Sequence, residues 1–410
     1  MSAQVDSLAG TTIGVVGTGM MGGALAYTCA RAGADVVLVA RTPESGHRAK
    51  SYAKRREAHA LEGGTTDGAV SRALLDRIMT TERVVDLAPA ALVIEAVAEN
   101  VDVKAHVLQS VESVTDSRTV LASTTSTLPI TSLASTLARP ENFVGMHFFS
   151  PVDRMALVET IIGSRTSEST RAAALTYARL LGKTPIVVRD SRGFFTSRVM
   201  QLRLDEALIA VGEGIDPGVV EHAATTAGYP VPPLRIFDEI TLTLNREVQQ
   251  ENRTAIEESG GSWNGHAVDD VRNRMIDEHG RGGRAAGQGF YEYDPDGTRI
   301  GLWSGLREAF GPSRNIPLED MRDRLLFVEV VEALRCLRDG VVDSAADADT
   351  ASVLGIGFPP HTGGVMSFVR SYPGGAERFT ARALELADRY GERFIPPQKS
   401  SEAHDQPESP

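Results

Sequence analysis

At 410 residues the chain is longer than one hydrophobic core supports, so two or three domains are expected. With 23% charged and 42% hydrophobic residues it has the make-up of a folded globular protein, not of a disordered or fibrous chain. Its 42 basic against 54 acidic residues, a net charge of −12, weigh against a general nucleic-acid or anionic-membrane binder. Two cysteines, Cys29 and Cys336, supply neither a disulfide framework nor a zinc cluster, and no metal is expected. The opening MSAQVDSLAG lacks the basic and apolar regions of a secretion signal, and no apolar run reaches the roughly 20 residues that span a bilayer. A cytoplasmic, reducing location is the expectation.

In chain order, strands are expected at Thr12–Val16, Asp35–Val39, Ala91–Ala96, Thr119–Ala122, Phe143–Phe148, Ala156–Ile161 and Pro185–Val188. Helical patterns fall between several of them, at Met20–Ala32, Asp102–Ser113 and Glu168–Leu181. This alternation predicts an α/β domain with a largely parallel sheet covered on both faces. Runs such as VVLVA and LVIEAV suit strands buried on both sides. Beyond Phe194 strand signals fade, and the second half reads as all-α.

That second half contains a repeat. RVMQLRLDEALIAVGEG begins at Arg198 and RLLFVEVVEALRCLRDG at Arg324, 126 residues later. In both, Glu-Ala-Leu starts eight positions after the arginine and a glycine lies sixteen after it, at Gly214 and Gly340. Both run on to Gly-aromatic-Pro, at Gly228–Pro230 and Gly357–Pro359. Two copies of one helical unit are expected, separated by an extended piece and turn at Gly287–Gly297. The expected domains are 1–189, 190–297 and 298–395, with a polar, Pro-rich, disordered tail at 396–410.

Gly17-x-Gly19-x-x-Gly22 lies between the first strand and the first helix. There Gly17 permits a tight turn, Gly19 lets backbone approach a pyrophosphate, and Gly22 lets helix and strand pack closely. Met20 and Met21 start the helix whose N-terminus faces the phosphates. A Rossmann-type dinucleotide-binding domain followed by two repeated all-α domains is therefore expected. An Asp or Glu at the end of the second strand would hold the adenosine ribose, but Ala40 stands there, followed by Arg41 and Thr42. Either Arg41 pairs with a 2′-phosphate, which selects NADP(H), or it stacks on the adenine of NAD(H). The missing carboxylate favours NADP(H).

In FVGMHFFSPVDRMALVETI, His147 ends one strand and Glu159 lies in the next, twelve residues on. A carboxylate bonded to one imidazole nitrogen fixes the tautomer and leaves the other nitrogen as a base, as oxidation of an alcohol requires. The chain has nine histidines, and read from spacing alone a single one is more often structural or on the surface.

The chain resembles the 3-hydroxyacyl-CoA dehydrogenase family, and more narrowly the dehydrogenase half of the multifunctional α-subunits of bacterial fatty-acid oxidation. The matching pieces are VVGTGMMGG, LVIEAVAENVDVK, LASTTSTLPIT, GMHFFSPVDRMALVE, LGKTPIVVRDSRGFFTSRV, GYPVPP, GQGFYEY and GIGFPPHTGG, in family order from about residue 11 to about 375. The resemblance implies an NAD(P)-dependent (S)-3-hydroxyacyl-CoA dehydrogenase that takes an acyl-CoA or acyl-carrier substrate and forms a homodimer. It makes His147 the general base, Glu159 its orienting carboxylate and Ser126 the hydrogen-bond donor to the 3-oxygen, and it sets Glu99 and Lys104 beside the nicotinamide. Without it, Ser126 reads as a helix cap and Lys104 as a surface lysine. The chain departs from the family at Thr124, Ser150 and Ser197, where asparagine is common, and at Pro232, where glycine is usual. Ser197 stands at the position that supports the reacting carbonyl and has a single, shorter donor. Arg55 and Arg56 are open to two readings, CoA phosphate contacts or a solvated helix face. Two rival functions remain: reduction of a carrier-bound hydroxyacyl group or free hydroxy acid in biosynthesis, and a non-catalytic cofactor-binding scaffold.

Overall fold

The apolar runs of the first half pair side by side into one eight-stranded sheet. In the computed structural model, which describes residues 7–258, 260–311 and 314–398, the strands are β1 (Thr12–Val16), β2 (Asp35–Val39), β3 (Ile78–Thr81), β4 (Leu92–Glu95), β5 (Val120–Ser123), β6 (Phe143–Phe148), β7 (Leu157–Ile162) and β8 (Thr184–Arg189). Their spatial order is β3-β2-β1-β4-β5-β6-β7-β8. Every neighbouring pair is parallel except β6 and β7. Only residues 149–156 join β6 to β7, too short a link for a parallel crossover, so the chain returns antiparallel.

The strand order reverses between β1 and β4, the switch point at which ligands of such sheets bind. The helices of this unit are α1 (Met20–Arg31), α2 (Pro43–Glu62), α3 (Gly68–Asp76), α4 (Val101–Val114), α5 (Ile130–Ala134) and α6 (Glu168–Leu180). Leu25, Ala26 and Cys29 of α1 pack with Ile13, Val15, Val36 and Leu38 in a core that excludes water.

By contacts the chain divides into two units, Met1–Ser197 with Asp339–Gly355, and Arg198–Arg338 with Ile356–Pro410. The Asp339–Gly355 segment extends the sheet unit: Arg189 N–H donates to Val341 O at 2.9 Å, and Val188 bridges Val342. The second unit is mostly helical. Its elements are α7 (Thr196–Gly212, begun in the first unit), α8 (Pro217–Ala227), α9 (Pro233–Ile240), α10 (Leu242–Glu258), α11 (His266–Asn273), α12 (Leu306–Phe310) and α13 (Leu318–Arg338). After α14 (Ala345–Ile356), which starts in the Asp339–Gly355 segment, come α15 (Val365–Ser371) and α16 (Gly375–Tyr390).

The all-α expectation needs one correction. Tyr291–Tyr293 (β9) and Arg299–Leu302 (β10) form an antiparallel hairpin within the stretch read as an extended piece and turn. Neither run is long or apolar enough to stand out from the surrounding helical pattern. The tail expected at 396–410 falls outside the described residues from 399 onward.

The two copies of the repeat pack reciprocally. Arg198 pairs with Glu332, and Arg324 pairs with Glu206 at 2.5 Å. These are the same two positions exchanged between the copies, each 126 residues apart. Arg203 and Glu329, also equivalent positions, meet each other at 3.5 Å. Such an exchange of partners is the signature of a local two-fold relation. Tyr229 donates to Glu329 Oε2 at 2.6 Å and lies under the Arg203 guanidinium.

Candidate active site

The carboxyl ends of β1, β4, β5 and β6 lie along one edge of the sheet. After β1, Gly17 has φ +119, and a Cβ there would come within 2.3 Å of Ala96 O. A Cβ on Gly22 would come within 2.0 Å of Gly17 O. Both positions are closed to any other residue by the chain itself. Gly19 differs, because a Cβ there meets open space. The fold itself does not demand glycine at that position. No side chain caps the N-terminus of α1, which leaves its first N–H groups for an anion.

A cleft of about 920 Å³ runs from Gly17–Met21 to Ala40 and Arg41. The glycine loop, the uncapped helix end and this cleft fit a dinucleotide. Thr42 borders it in sequence, but its hydroxyl caps α2 by accepting from Ser45 N–H at 3.3 Å. Glu82, just past the end of β3, also lines the cleft. Ala40 N–H donates to Thr81 O at 2.8 Å, so Glu82 follows directly beside the vacant acidic position. Sequence reading missed it because β3 itself, the short edge strand IMTT, carries no strong strand signal.

Glu99 and Lys104 belong to a buried network. Lys104, 1% exposed, lies 2.8 Å from Glu95 Oε1 and 3.3 Å from Glu99 Oε2. Glu95, at the end of β4, also accepts from Ser123 Oγ and Val97 N–H, both at 2.6 Å. Glu99 Oε1 accepts from Thr125 Oγ1 at 2.5 Å and from Ser126 N–H at 3.0 Å. Burial opposes its ionisation, yet the Lys104 charge and these hydrogen bonds together hold its carboxyl below the usual range. Lys104 thus reaches outward only through Glu99, and Glu99 fixes the turn that carries Ser126. The Ser126 hydroxyl has no hydrogen-bond partner among the described residues. Glu95 was missed as well; inside the run LVIEAV it reads as part of a buried strand.

Register puts His147 of β6 opposite Glu159 of β7. Nδ1 lies 2.7 Å from Glu159 Oε2, and both side chains are buried. Nε2 has no partner among the described residues. Glu159 is further held at the start of α7: the N–H of Phe195, just before the helix, at 3.2 Å and of Thr196 at 2.9 Å donate to Oε1, and Thr196 Oγ1 donates to Oε2 at 2.5 Å. Phe194, at φ 50, turns the chain into that helix. Phe149 and Phe194 flank the imidazole, with centroids 4.5 Å and 6.1 Å away.

Ser197 follows Thr196 in α7 and is half-buried. The Ser150 hydroxyl is 3.9 Å from Met20 Sδ. Arg56 is bound to Asp153 at 2.5 Å and borders a second cleft, of about 450 Å³, together with Arg31, His59 and Arg77. No group of three or more His, Cys, Asp or Glu among the described residues is arranged to hold a metal ion, and no described helix is long and apolar enough to cross a membrane.

Residues 12–191 match the model of the 3-hydroxyacyl-CoA dehydrogenase NAD-binding domain, and residues 193–293 that of the C-terminal domain of the same enzymes. The fatty acid oxidation complex subunit alpha of Pseudomonas syringae pv. tomato is 34% identical over 387 residues, which cover 92% of this chain and 52% of that one. The chain therefore spans about half the length of this curated relative. The (S)-3-hydroxybutyryl-CoA dehydrogenase of Ralstonia eutropha superposes with a TM-score of 0.65 at 32% identity, over 69% of this chain and 99% of that one. The 3-hydroxybutyryl-CoA dehydrogenase of Escherichia coli K12 shares the fold with a TM-score of 0.76 at 23% identity, over 95% of this chain and 97% of that one. The family models, reinforced by the Ralstonia relative covered nearly end to end, show that the chain belongs to the 3-hydroxyacyl-CoA dehydrogenase family.

Proposed function

We propose that the protein is an NAD(H)-dependent (S)-3-hydroxyacyl-CoA dehydrogenase that interconverts a 3-hydroxyacyl-CoA and its 3-oxo form. The observation that carries this reading is the Glu159-bound imidazole of His147, its Nε2 unengaged, on the same sheet edge as the glycine loop. The Gly17–Gly22 loop and the start of α1 would hold the dinucleotide, which would supply a hydride acceptor for oxidation or a hydride donor for reduction. Nε2 of His147 accepts the proton of the 3-hydroxyl, while Glu159 receives Nδ1–H and stabilises the imidazolium that forms. In reduction the same nitrogen gives the proton back. Ser126 donates its hydroxyl to the substrate oxygen, and Ser197 supports it with one donor in place of asparagine. Arg31, Arg56 and Arg77 are the cations proposed to meet the phosphates of CoA.

Cofactor choice turns on the adenosine end. Arg41 alone would favour NADP(H), but Glu82 borders the same cleft, and its carboxylate would repel a 2′-phosphate while accepting from a ribose hydroxyl. This favours NAD(H). The family resemblance implies a homodimer, but the reciprocal pairing of the two helical copies within one chain favours the other reading, that the doubled unit satisfies such a surface by itself. We infer a monomer, located in the cytoplasm.

His147→Ala tests the assignment of the base. Loss of general acid–base catalysis is expected to lower kcat/KM by about 10²–10⁴-fold, with coenzyme binding retained in a fluorescence titration. A loss below about tenfold would remove His147 from the chemistry.

A further inference from the structure

Glu159 accepts four hydrogen bonds, and its donors are not equivalent. The two backbone N–H groups of Phe195 and Thr196 occupy Oε1. The imidazole Nδ1 and the Thr196 hydroxyl converge on Oε2, at 2.7 Å and 2.5 Å. Glu159 and Thr196 are both fully buried, so no solvent competes for this oxygen. The hydroxyl has one proton and gives it to Oε2. It therefore disperses the charge on Oε2 that would otherwise act on the imidazole alone.

We propose that Thr196 is a positioning residue that sets the basicity of His147 through the Oε2 atom of Glu159. The inference rests on His147 acting as the base. With the imidazole alone on Oε2, the carboxylate would hold imidazolium more strongly, and imidazolium cannot accept a proton. Sharing Oε2 with a hydroxyl weakens that hold and keeps Nε2 free to act.

The other charged groups on the packed elements are engaged elsewhere or are set on other faces. Arg189 pairs with Asp343 at 3.2 Å, and Asp190 accepts from the N–H groups of Ile130 and Thr131 at 2.9 Å and 2.7 Å. Glu99 is tied to Lys104 and to the turn after β5. Helix α14 carries Asp347 and Asp349 but meets Thr196 through Gly355, where a Cβ would lie 3.3 Å from the threonine methyl.

The experiment follows the His147 imidazole titration by NMR in full-length wild type, Thr196→Val, Thr196→Ala and Thr196→Ser, alongside the pH profile of kcat/KM for hydroxyacyl-CoA oxidation. In Val and Ala the His147 titration and the acid limb of the profile are expected to rise together by about half a unit, leaving about threefold less free base below it. Ser, which keeps the hydroxyl, is expected to titrate like wild type. An unchanged His147 titration in both hydroxyl-free variants overturns the proposal, and so does a shift of equal size in Ser. Loss of the base assignment would register separately, as His147→Ala keeping wild-type turnover while the Thr196 variants still shift the imidazole titration.

Discussion

Three glycines of one motif are held for two different reasons, and substitution separates them. Gly22→Ala forces a Cβ to within 2.0 Å of Gly17 O, so the turn must open and the sheet unit loses stability. Gly19→Ala puts its methyl into open space. The expected result for Gly19→Ala is an unchanged melting temperature with coenzyme affinity at least tenfold weaker, because the methyl stands where a pyrophosphate approaches the backbone. Gly22→Ala should lose both. Calorimetry paired with a coenzyme titration separates the two, and equal behaviour of the variants would contradict this division of labour. The motif is legible in sequence because its spacing encodes backbone geometry. Thr196 is not: its contact with Glu159 spans 37 residues, and a lone threonine at a helix start reads as an ordinary helix residue.

At the scale of elements, the sheet was largely readable because its central strands are continuous apolar runs buried on both faces. His147 and Glu159 were placed on neighbouring strands, and the antiparallel register then brings them side by side. The edge strand β3 and the hairpin β9–β10 escaped, since short, half-exposed strands lack the apolar run that marks the others.

The hairpin is tied to the helices through Glu221 of α8, which accepts from Leu234 N–H at 2.8 Å and from the Tyr291 hydroxyl. Burial pushes the Glu221 carboxyl up to about 7. An unfolded glutamate releases its proton near pH 4, so between about pH 4 and 7 the folded state holds a proton that the unfolded state has lost. The contribution of Glu221 to stability is therefore full below about pH 4 and falls as pH rises toward 7. Glu221→Gln does not titrate; its amide oxygen can accept from Leu234 N–H while its NH2 donates to the Tyr291 oxygen. Between pH 5 and 8, denaturant titrations should show wild type losing about 1–3 kcal/mol more stability than the variant. Parallel losses would mean that Glu221 ionises normally in the folded protein.

At the scale of the molecule, the repeat was visible as matched punctuation 126 residues apart, but the consequence of the duplication lies in packing. The exchange of partners between Arg198–Glu332 and Arg324–Glu206 relates the two copies by a local two-fold within one chain, which favours the proposed monomer. Sedimentation equilibrium is expected to return the chain mass of 43.9 kDa at micromolar concentration. A value twice as large would restore the dimer. Sequence could not foresee that Asp339–Gly355 joins the sheet unit, because the β8 contact depends on where the chain passes and not on any pattern within the segment.

The function assigned to the whole protein is tested most directly by the initial rate of acetoacetyl-CoA reduction, followed by nicotinamide absorbance with NADH and with NADPH at equal concentration. Turnover with NADH, at least tenfold faster than with NADPH, is the expected result for a cleft that Glu82 borders beside Ala40. No turnover with either coenzyme at saturating substrate would contradict the assignment of this chain as a hydroxyacyl-CoA dehydrogenase.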